Sequence, residues 1–121
     1  MRLPILMVAE TLEAETPEIN WFTNEVPESN QTLPNLPIGR VVEVRGDYGS
    51  YASANPNYLI TQVQVDVWVK DLKEVDKYYY KLDEIMRADN VQCDYMEQTY
   101  DPDLEGARRI IKRYTISQRV G

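Results

Sequence analysis

A chain of 121 residues with 43% hydrophobic and 27% charged side chains fits one domain and is too apolar to be disordered throughout. Its formal net charge of −7 argues against a phosphate-binding surface as the main activity, because nucleic-acid binders need neutralising positive charge. The absence of histidine removes the commonest general base and metal ligand, and the single Cys93 excludes an internal disulfide and a multi-cysteine metal site.

The charge is segregated along the chain. Residues 1–39 hold one basic and six acidic side chains, residues 40–105 hold seven and fourteen, and residues 106–121 hold five and none. These segments carry −5, −7 and +5, which add to the total of −7. The basic C-terminal segment could bind DNA, pair within the fold, or contact the acidic part of a neighbouring copy.

The N-terminal third predicts a helix, a strand and a loop. Apolar residues at helical spacing run from Leu3 to Leu12 and stop at Thr16-Pro17, which predicts a short amphipathic helix. The residues from Ile19 to Val26 favour a strand, and the Pro-rich, polar segment 24–38 predicts an extended arm or loop. No stretch approaches the ~18 apolar residues of a membrane span, and we expect no signal peptide and synthesis in the cytoplasm.

The central third predicts two strands and a helix. Residues 40–45 form a β-branched run between two glycines, and in residues 59–69 the odd positions predict a buried strand face. Asp71 with Glu74 resembles a capping box that starts a helix running to about Ala88. Its predicted apolar stripe consists of Leu72, Val75, Tyr79, Leu82 and Met86.

Two tyrosine-rich features in this region suit recognition. Residues 46–58 predict a Gly-, Ser- and Tyr-rich loop, which is either a recognition loop or a mobile hairpin connection. Three consecutive helical tyrosines must point in three directions, which puts Tyr79 on the apolar face and leaves Tyr80, or Tyr78 at the border, partly exposed.

The last third predicts a β-hairpin. Asp89-Asn90 ends the helix, a strand follows from Val91 to Tyr100, and a turn at residues 101–103 leads to a final strand over residues 107–120. Together the elements predict a single α+β domain over residues 1–121, with a largely antiparallel sheet and both helices packed on one face.

No constellation of residues predicts catalysis. Cys93 lies in a predicted strand on the same face as Val91 and Tyr95, and without a histidine partner its thiol should stay protonated as a core cysteine. Glu43, Asp66 and Lys70 are candidates for the acids and the lysine of a metal-dependent nuclease, but Trp68 occupies the position where that pattern needs an acid. We therefore expect a protein that is not an enzyme, with no catalytic residue, cofactor or metal site.

The stretch from Gly39 to Val120 resembles the small tail-component family of siphophages of Gram-positive bacteria, which includes minor tail and tail-terminator proteins. The residues that carry this resemblance are Pro37-Ile-Gly-Arg40, Asp47-Tyr-Gly-Ser-Tyr51, Val63-Gln-Val-Asp-Val-Trp68, a helix ending in Ile85-Met86-Arg87, Ala107-Arg-Arg-Ile110 and Arg113-Tyr114.

The resemblance implies a virion protein at the head-tail interface. Such a subunit forms a homo-oligomeric ring, commonly a hexamer, on the head-proximal end of the tail tube and joins the tail to the head. Its expected partners are the major tail tube protein and a head completion or connector protein. DNA would pass through its channel without specific binding, and no membrane is involved.

We predict that subunit contacts use eight side chains: Asp47, Tyr48, Tyr51, Tyr58, Tyr80, Arg108, Arg109 and Arg113. Two other classes of function stay open at this point. One is a metal-dependent DNA-processing nuclease, and the other is a small adaptor or binding module, which would be monomeric or dimeric.

Overall fold

The computed structural model describes residues 2–52 and 55–120, with side chains outside residues 50–56. The elements in chain order are α1 (Pro4–Glu15), β1 (Asn20–Thr23), β2 (Ile38–Ala52), β3 (Asn55–Val69), α2 (Leu72–Ala88), β4 (Gln92–Tyr100) and β5 (Arg108–Arg119). The strands form one sheet in the order β1-β2-β3-β5-β4, in which β1 pairs parallel with β2 and the other pairings are antiparallel. The predicted α+β fold with a largely antiparallel sheet is confirmed.

Both helices pack on one side of the sheet, which we call the helix face. Val63, Val65 and Val67 of β3 are completely buried there, as the alternation in the sequence predicts. They join one apolar cluster with Leu12 of α1 and Leu82 of α2. None of the described helices is long and apolar enough to cross a membrane.

Local capping sets the limits of α2. The Asp71 carboxylate accepts a hydrogen bond from the Glu74 amide at 3.0 Å, which satisfies one free N–H of the first turn. At the other end Asn90 adopts a left-handed conformation with φ of 60°, and the Val91 amide donates to the Met86 carbonyl. The predicted start and end of this helix are confirmed.

The predicted apolar stripe of α2 is wrong at two positions. Tyr78, expected at the border, is 1% exposed, whereas Leu72 at the first turn is 59% exposed. Tyr79 is half-buried and packs at the edge of the core. Tyr78 can be buried because its hydroxyl donates to the Glu18 carboxylate at 2.9 Å, so its polar tip keeps a partner.

The segment 24–38 is a loop, but it is folded rather than extended. It contains two short 3₁₀ turns, at Glu28–Asn30 and Leu33–Asn35. Side-chain amides bind its backbone: Gln31 donates to the Val26 carbonyl at 2.9 Å, and Asn20 donates to the Asn35 carbonyl at 2.7 Å. These internal bonds explain why the predicted extended arm is not confirmed.

The predicted loop over residues 46–58 is wrong, because most of it is strand. The β2–β3 ladder continues through the pairs Gly46↔Thr61, Tyr48↔Leu59 and Gly49↔Tyr58 and reaches Ala52↔Asn55. Tyrosine fits a pleated strand well, and glycines are tolerated in a two-stranded ribbon. The loop therefore becomes a long hairpin, whose residues 53 and 54 lie outside the described part of the chain.

Candidate interaction surface

The face of the sheet opposite the helices, which we call the open face, carries the positions that alternate with the core. On β3 and β5 these positions are mostly polar, and neighbouring strands place them side by side. They are Ile60, Gln62, Gln64, Asp66, Trp68, Arg109, Ile111, Arg113 and Thr115.

Asp66 is the centre of an ion cluster on the open face. Arg40 of β2 donates to one carboxylate oxygen at 2.7 Å, and Arg109 of β5 donates to the other at 2.8 Å. Gln64 adds a hydrogen bond at 3.1 Å. The Asp66 side chain has no exposed surface, whereas the arginine side chains are 27% and 26% exposed. Two charge-assisted pairs thus compensate one buried carboxylate.

Trp68 covers this cluster and connects it to the β4–β5 turn. The guanidinium carbons of Arg40 and Arg109 lie 5.5 and 5.3 Å from its ring centroid, within the range of cation–π attraction. Its indole N–H donates to Asp101, and Asp101 also accepts the Asp103 amide at 2.8 Å. A cavity of about 260 Å³ lies beside the ring and is lined by both arginines.

A second polar row crosses the open face towards β4. Arg113 donates to the Gln64 side chain at 3.0 Å, and its guanidinium carbon lies 5.1 Å from the Tyr95 ring centroid. The Tyr95 hydroxyl donates to Glu97, and this hydrogen bond raises the pKa of Tyr95. The open face is therefore a polar surface whose side chains are bound to one another.

The helix face holds a second, deeper ion cluster. Lys112 donates to one Asp83 oxygen at 3.0 Å, and the Tyr114 hydroxyl donates to the other at 2.8 Å. The Lys112 ammonium also lies 3.8 Å from the Tyr79 ring centroid. Burial, with the Asp83 charge adding, raises the pKa of Tyr114. The Lys112 side chain has no exposed surface, so its charge is compensated entirely within this cluster.

Cys93 borders a surface cavity of about 330 Å³ and packs against the core. Burial raises the pKa of its thiol, which agrees with the expectation of a protonated cysteine. Its predicted face is wrong in one respect. A bulge between Cys93 and Tyr95 reverses the alternation, so Cys93 pairs with Tyr114 while Tyr95 lies on the open face.

The described residues do not bring acids together as a metal site. Within residues 2–52 and 55–120, no group of three or more Cys, Asp or Glu side chains is arranged to hold a metal ion. Asp66, the candidate nuclease acid on β3, has both carboxylate oxygens bound by arginines.

The hairpin and α2 carry the exposed tyrosines among the predicted interface residues. Tyr48 is 54% and Tyr58 is 39% exposed on the hairpin, and Tyr80 on α2 is 63% exposed. Asp47 is also exposed, and its Oδ2 lies 3.7 Å from the Nε of Arg45. The side chain of Tyr51 lies outside the described residues. The structure places Tyr80 on the helix side, apart from the hairpin.

The three predicted arginines do not form one patch. Arg109 and Arg113 lie on the open face, whereas Arg108 points to the other side of β5, where its guanidinium lies 4.2 Å from the Tyr100 ring centroid. Reversing Arg108 and Arg109 together would therefore be a poor test of assembly. It would remove one of the two cations that compensate buried Asp66, and the subunit itself would be destabilised.

Sequence reasoning missed both ion clusters, although each left a signal. Lys112 stands at a strand position between Ile110 and Tyr114, where the alternation requires a buried residue, and a buried lysine implies an acidic partner. The alternation in the sequence assigns Asp66 to the wet face of β3 but does not predict that two arginines bind it.

Comparison with known proteins adds no family to this description. The chain matches none of the protein-family models against which it was compared, and no curated protein shows significant similarity to it.

Proposed function

We propose that this chain is a structural subunit of a tailed phage that forms a ring on the head-proximal end of the tail tube and mediates head-tail joining. The resemblance of residues 39–120 to siphophage tail components is the starting point. The observation that carries the proposal further is the projecting β2–β3 hairpin, whose side chains Tyr48 and Tyr58 are exposed and form no hydrogen bond with the described residues.

The hairpin extends beyond the rest of the sheet. Strand β5 pairs with β3 only as far as Tyr58↔Arg119, so the distal part has two strands. Tyr48, Tyr58 and Ile60, each at least 39% exposed, lie at the base of this distal part, where β5 still pairs with β3. Two-stranded hairpins are marginally stable in water by themselves, and such a ribbon gains from contact with another subunit. Subunits of an assembly can supply such a contact to one another.

The basic residues near the C-terminus bind partners within the fold, which supports a channel that does not bind DNA. Arg109 binds Asp66, Lys112 binds Asp83, and Arg108 donates to Gln98 at 2.6 Å. The C-terminal positive charge is therefore used largely within the fold, which was one of the alternatives that the sequence left open. With a net charge of −7, the assembled subunits would repel the phosphates of a passing genome.

The alternatives have weaker support. A nuclease needs an acid free to bind a divalent metal, but both oxygens of Asp66 are already bound by arginines. An adaptor module needs no particular feature of this structure, and a monomeric or dimeric mass would favour it. Cleavage of duplex DNA in the presence of Mg²⁺ or Mn²⁺ would support the nuclease instead.

The proposal is tested with purified protein and tail tubes assembled from the tube protein of the same phage. Negative-stain images should show rings of uniform diameter and, after mixing, tubes capped at one end. Addition of the protein before assembly should shorten the tubes, because a capped end does not elongate. Unaltered tube lengths together with an absence of rings would contradict the proposal.

A further inference from the structure

Two edges of the described sheet have no partner strand. Strand β4 pairs with β5 on one side, and no described strand pairs with its other side. Strand β1 covers β2 only over Ile38–Val41, which leaves residues 42–52 of β2 unpaired on that side. Neither edge segment contains proline or lysine, which commonly block pairing of exposed edges, although each contains one bulge, between Glu43 and Arg45 in β2 and between Cys93 and Tyr95 in β4.

The directions of these edges allow them to pair with each other in two copies. Because β2 and β5 are both antiparallel to β3, and β4 is antiparallel to β5, β4 runs opposite to β2. A second copy placed beside the first in the same orientation therefore brings β4 of one copy antiparallel to β2 of the next. The helices of all copies then lie on the same side of a continuous sheet.

The exposed apolar side chains of the two edges have matching spacing. Met96 and Tyr100 on β4 are 45% and 69% exposed, and they are four residues apart. Val44 and Tyr48 on β2 are 41% and 54% exposed, with the same spacing. A single antiparallel register can therefore place each of these β4 residues opposite one of these β2 residues. Such cross-strand side-chain pairs are the units that stabilise a sheet.

We propose that β4 of one subunit pairs with the free edge of β2 in the next subunit, with Met96 opposite Tyr48 and Tyr100 opposite Val44. This inference rests on the proposed ring and names the surfaces that build it. In this register the part of β4 that follows its bulge, Tyr95–Tyr100, faces residues 44–49, just beyond the part of β2 that β1 covers.

The open-face side chains of the two edges make this register sensitive to charge. Thr99 lies opposite Arg45, and Glu97 lies opposite Asp47 with Arg45 at the diagonal position. Arg45, whose side chain is 75% exposed, would be shared between its own Asp47 and the neighbour's Glu97. Asp47 therefore opposes the contact and Arg45 supports it, which gives two substitutions with opposite expected effects.

The register is compatible with a closed ring. Within one subunit, cross-strand pairing through β5 aligns Tyr100 with Val69 of β3, and β2–β3 pairing aligns Val44 with residues 62 and 63 of β3. Placing Tyr100 of one copy opposite Val44 of the next therefore displaces each copy along the strands by about seven residues, or roughly 23 Å. The four long strands advance the sheet sideways by about 19 Å, at ~4.8 Å per strand. The strands would then be inclined by about 50° to the ring axis, close to the ~35–45° of closed barrels.

Cross-linking tests the contact directly in the full-length protein. In a Cys93→Ser background, Tyr48→Cys combined with Met96→Cys should give disulfide-linked multimers after mild oxidation, ending in a ladder of defined length. The control combines Tyr48→Cys with Leu72→Cys, which is 59% exposed at the first turn of α2, directly after β3 and two strands from the β4 edge, and it should stay largely uncross-linked. Closed oligomers in which the first pair does not cross-link overturn the edge contact but leave the ring proposal standing.

The charge substitutions supply an independent readout. Arg45→Glu should weaken self-association by about fivefold, and Asp47→Asn should strengthen it by a factor of about two to five, as expected for changes in cross-strand charge pairs. Both residues are exposed, so circular dichroism should show an unchanged fold. Equal association constants for both variants and the wild type, measured by sedimentation, would overturn the register. A protein that stays monomeric at every concentration would overturn the edge contact and the proposed ring together.

Discussion

The two faces of the sheet each bury a carboxylate, and they compensate it in different ways. On the open face Asp66 has no exposed surface, but its two arginine partners each keep about a quarter of their side chains in contact with solvent. On the helix face Asp83 is held by Lys112, which has no exposed surface, and by the Tyr114 hydroxyl. The helix-face cluster is almost entirely buried and reaches a surface cavity only at Asp83, whereas the open-face cluster stiffens a surface that still meets water.

This difference predicts that the helix-face cluster contributes more to stability than the open-face cluster. Lys112→Met should lower the free energy of unfolding by about 3–5 kcal/mol, because it leaves the Asp83 charge buried with only a hydroxyl partner. Urea denaturation followed by circular dichroism measures the loss.

A matched variant separates the charge from the packing. Lys112→Met combined with Asp83→Leu and Tyr114→Phe removes the whole polar cluster and should recover most of the lost stability, because an apolar replacement of a buried ion pair is often neutral. If the single variant is as stable as the wild type, Lys112 does not compensate Asp83 as described.

Substitutions in the open-face cluster should lower the free energy of unfolding less than Lys112→Met does. Asp66→Asn should cost about 2–3 kcal/mol, since the two arginines lose their shared carboxylate but can turn towards solvent. Arg40→Met and Arg109→Met should each cost less than Asp66→Asn, and their combination should cost more than the sum, because either arginine alone still compensates the carboxylate. Additive losses in urea denaturation would show that the arginines do not share Asp66.

The tyrosines of the two faces should differ in how strongly they make stability depend on alkaline pH. Burial raises the pKa of Tyr114 above its ordinary value of 10.0, so the folded state retains the phenolic proton more strongly than the unfolded state. The corresponding stability is complete below pH 10 and decreases above it, by up to ~1.4 kcal/mol per pH unit for this residue.

Variants at the two tyrosines test this slope. Tyr114→Phe should flatten the decline of the urea midpoint between pH 9.5 and 11. Tyr95→Phe on the open face should change it less, because Tyr95 is 42% exposed and its pKa is raised mainly by the hydrogen bond to Glu97 rather than by burial. The same slope in all three proteins would contradict the assignment of the effect to Tyr114.

Much of the fold could be predicted because local chemistry and periodicity agree there. The alternation in β3 and the Asp71 cap of α2 depend on near neighbours in sequence, and both are confirmed. The hairpin was mistaken for a loop because its Gly and Ser content favours turns, while pairing with a neighbouring strand, which propensity does not report, holds it extended.

The candidate surface was harder to predict because it depends on register between distant strands. Arg40, Asp66 and Arg109 meet only when β2, β3 and β5 are aligned, and a bulge at Cys93 to Tyr95 changes which β4 side chains share a face. The sequence therefore indicates that Arg108, Arg109 and Arg113 are a charged group, but it does not show that they lie on opposite sides of β5.

The central claim is that subunits of this chain assemble into a closed ring. Native mass spectrometry of the purified wild-type protein over a range of concentrations tests it most directly. We predict one discrete oligomer, with six copies expected from the resemblance to tail terminators, and no larger species as the concentration rises. A monomer at all concentrations, or a continuous series of growing polymers, would contradict the account.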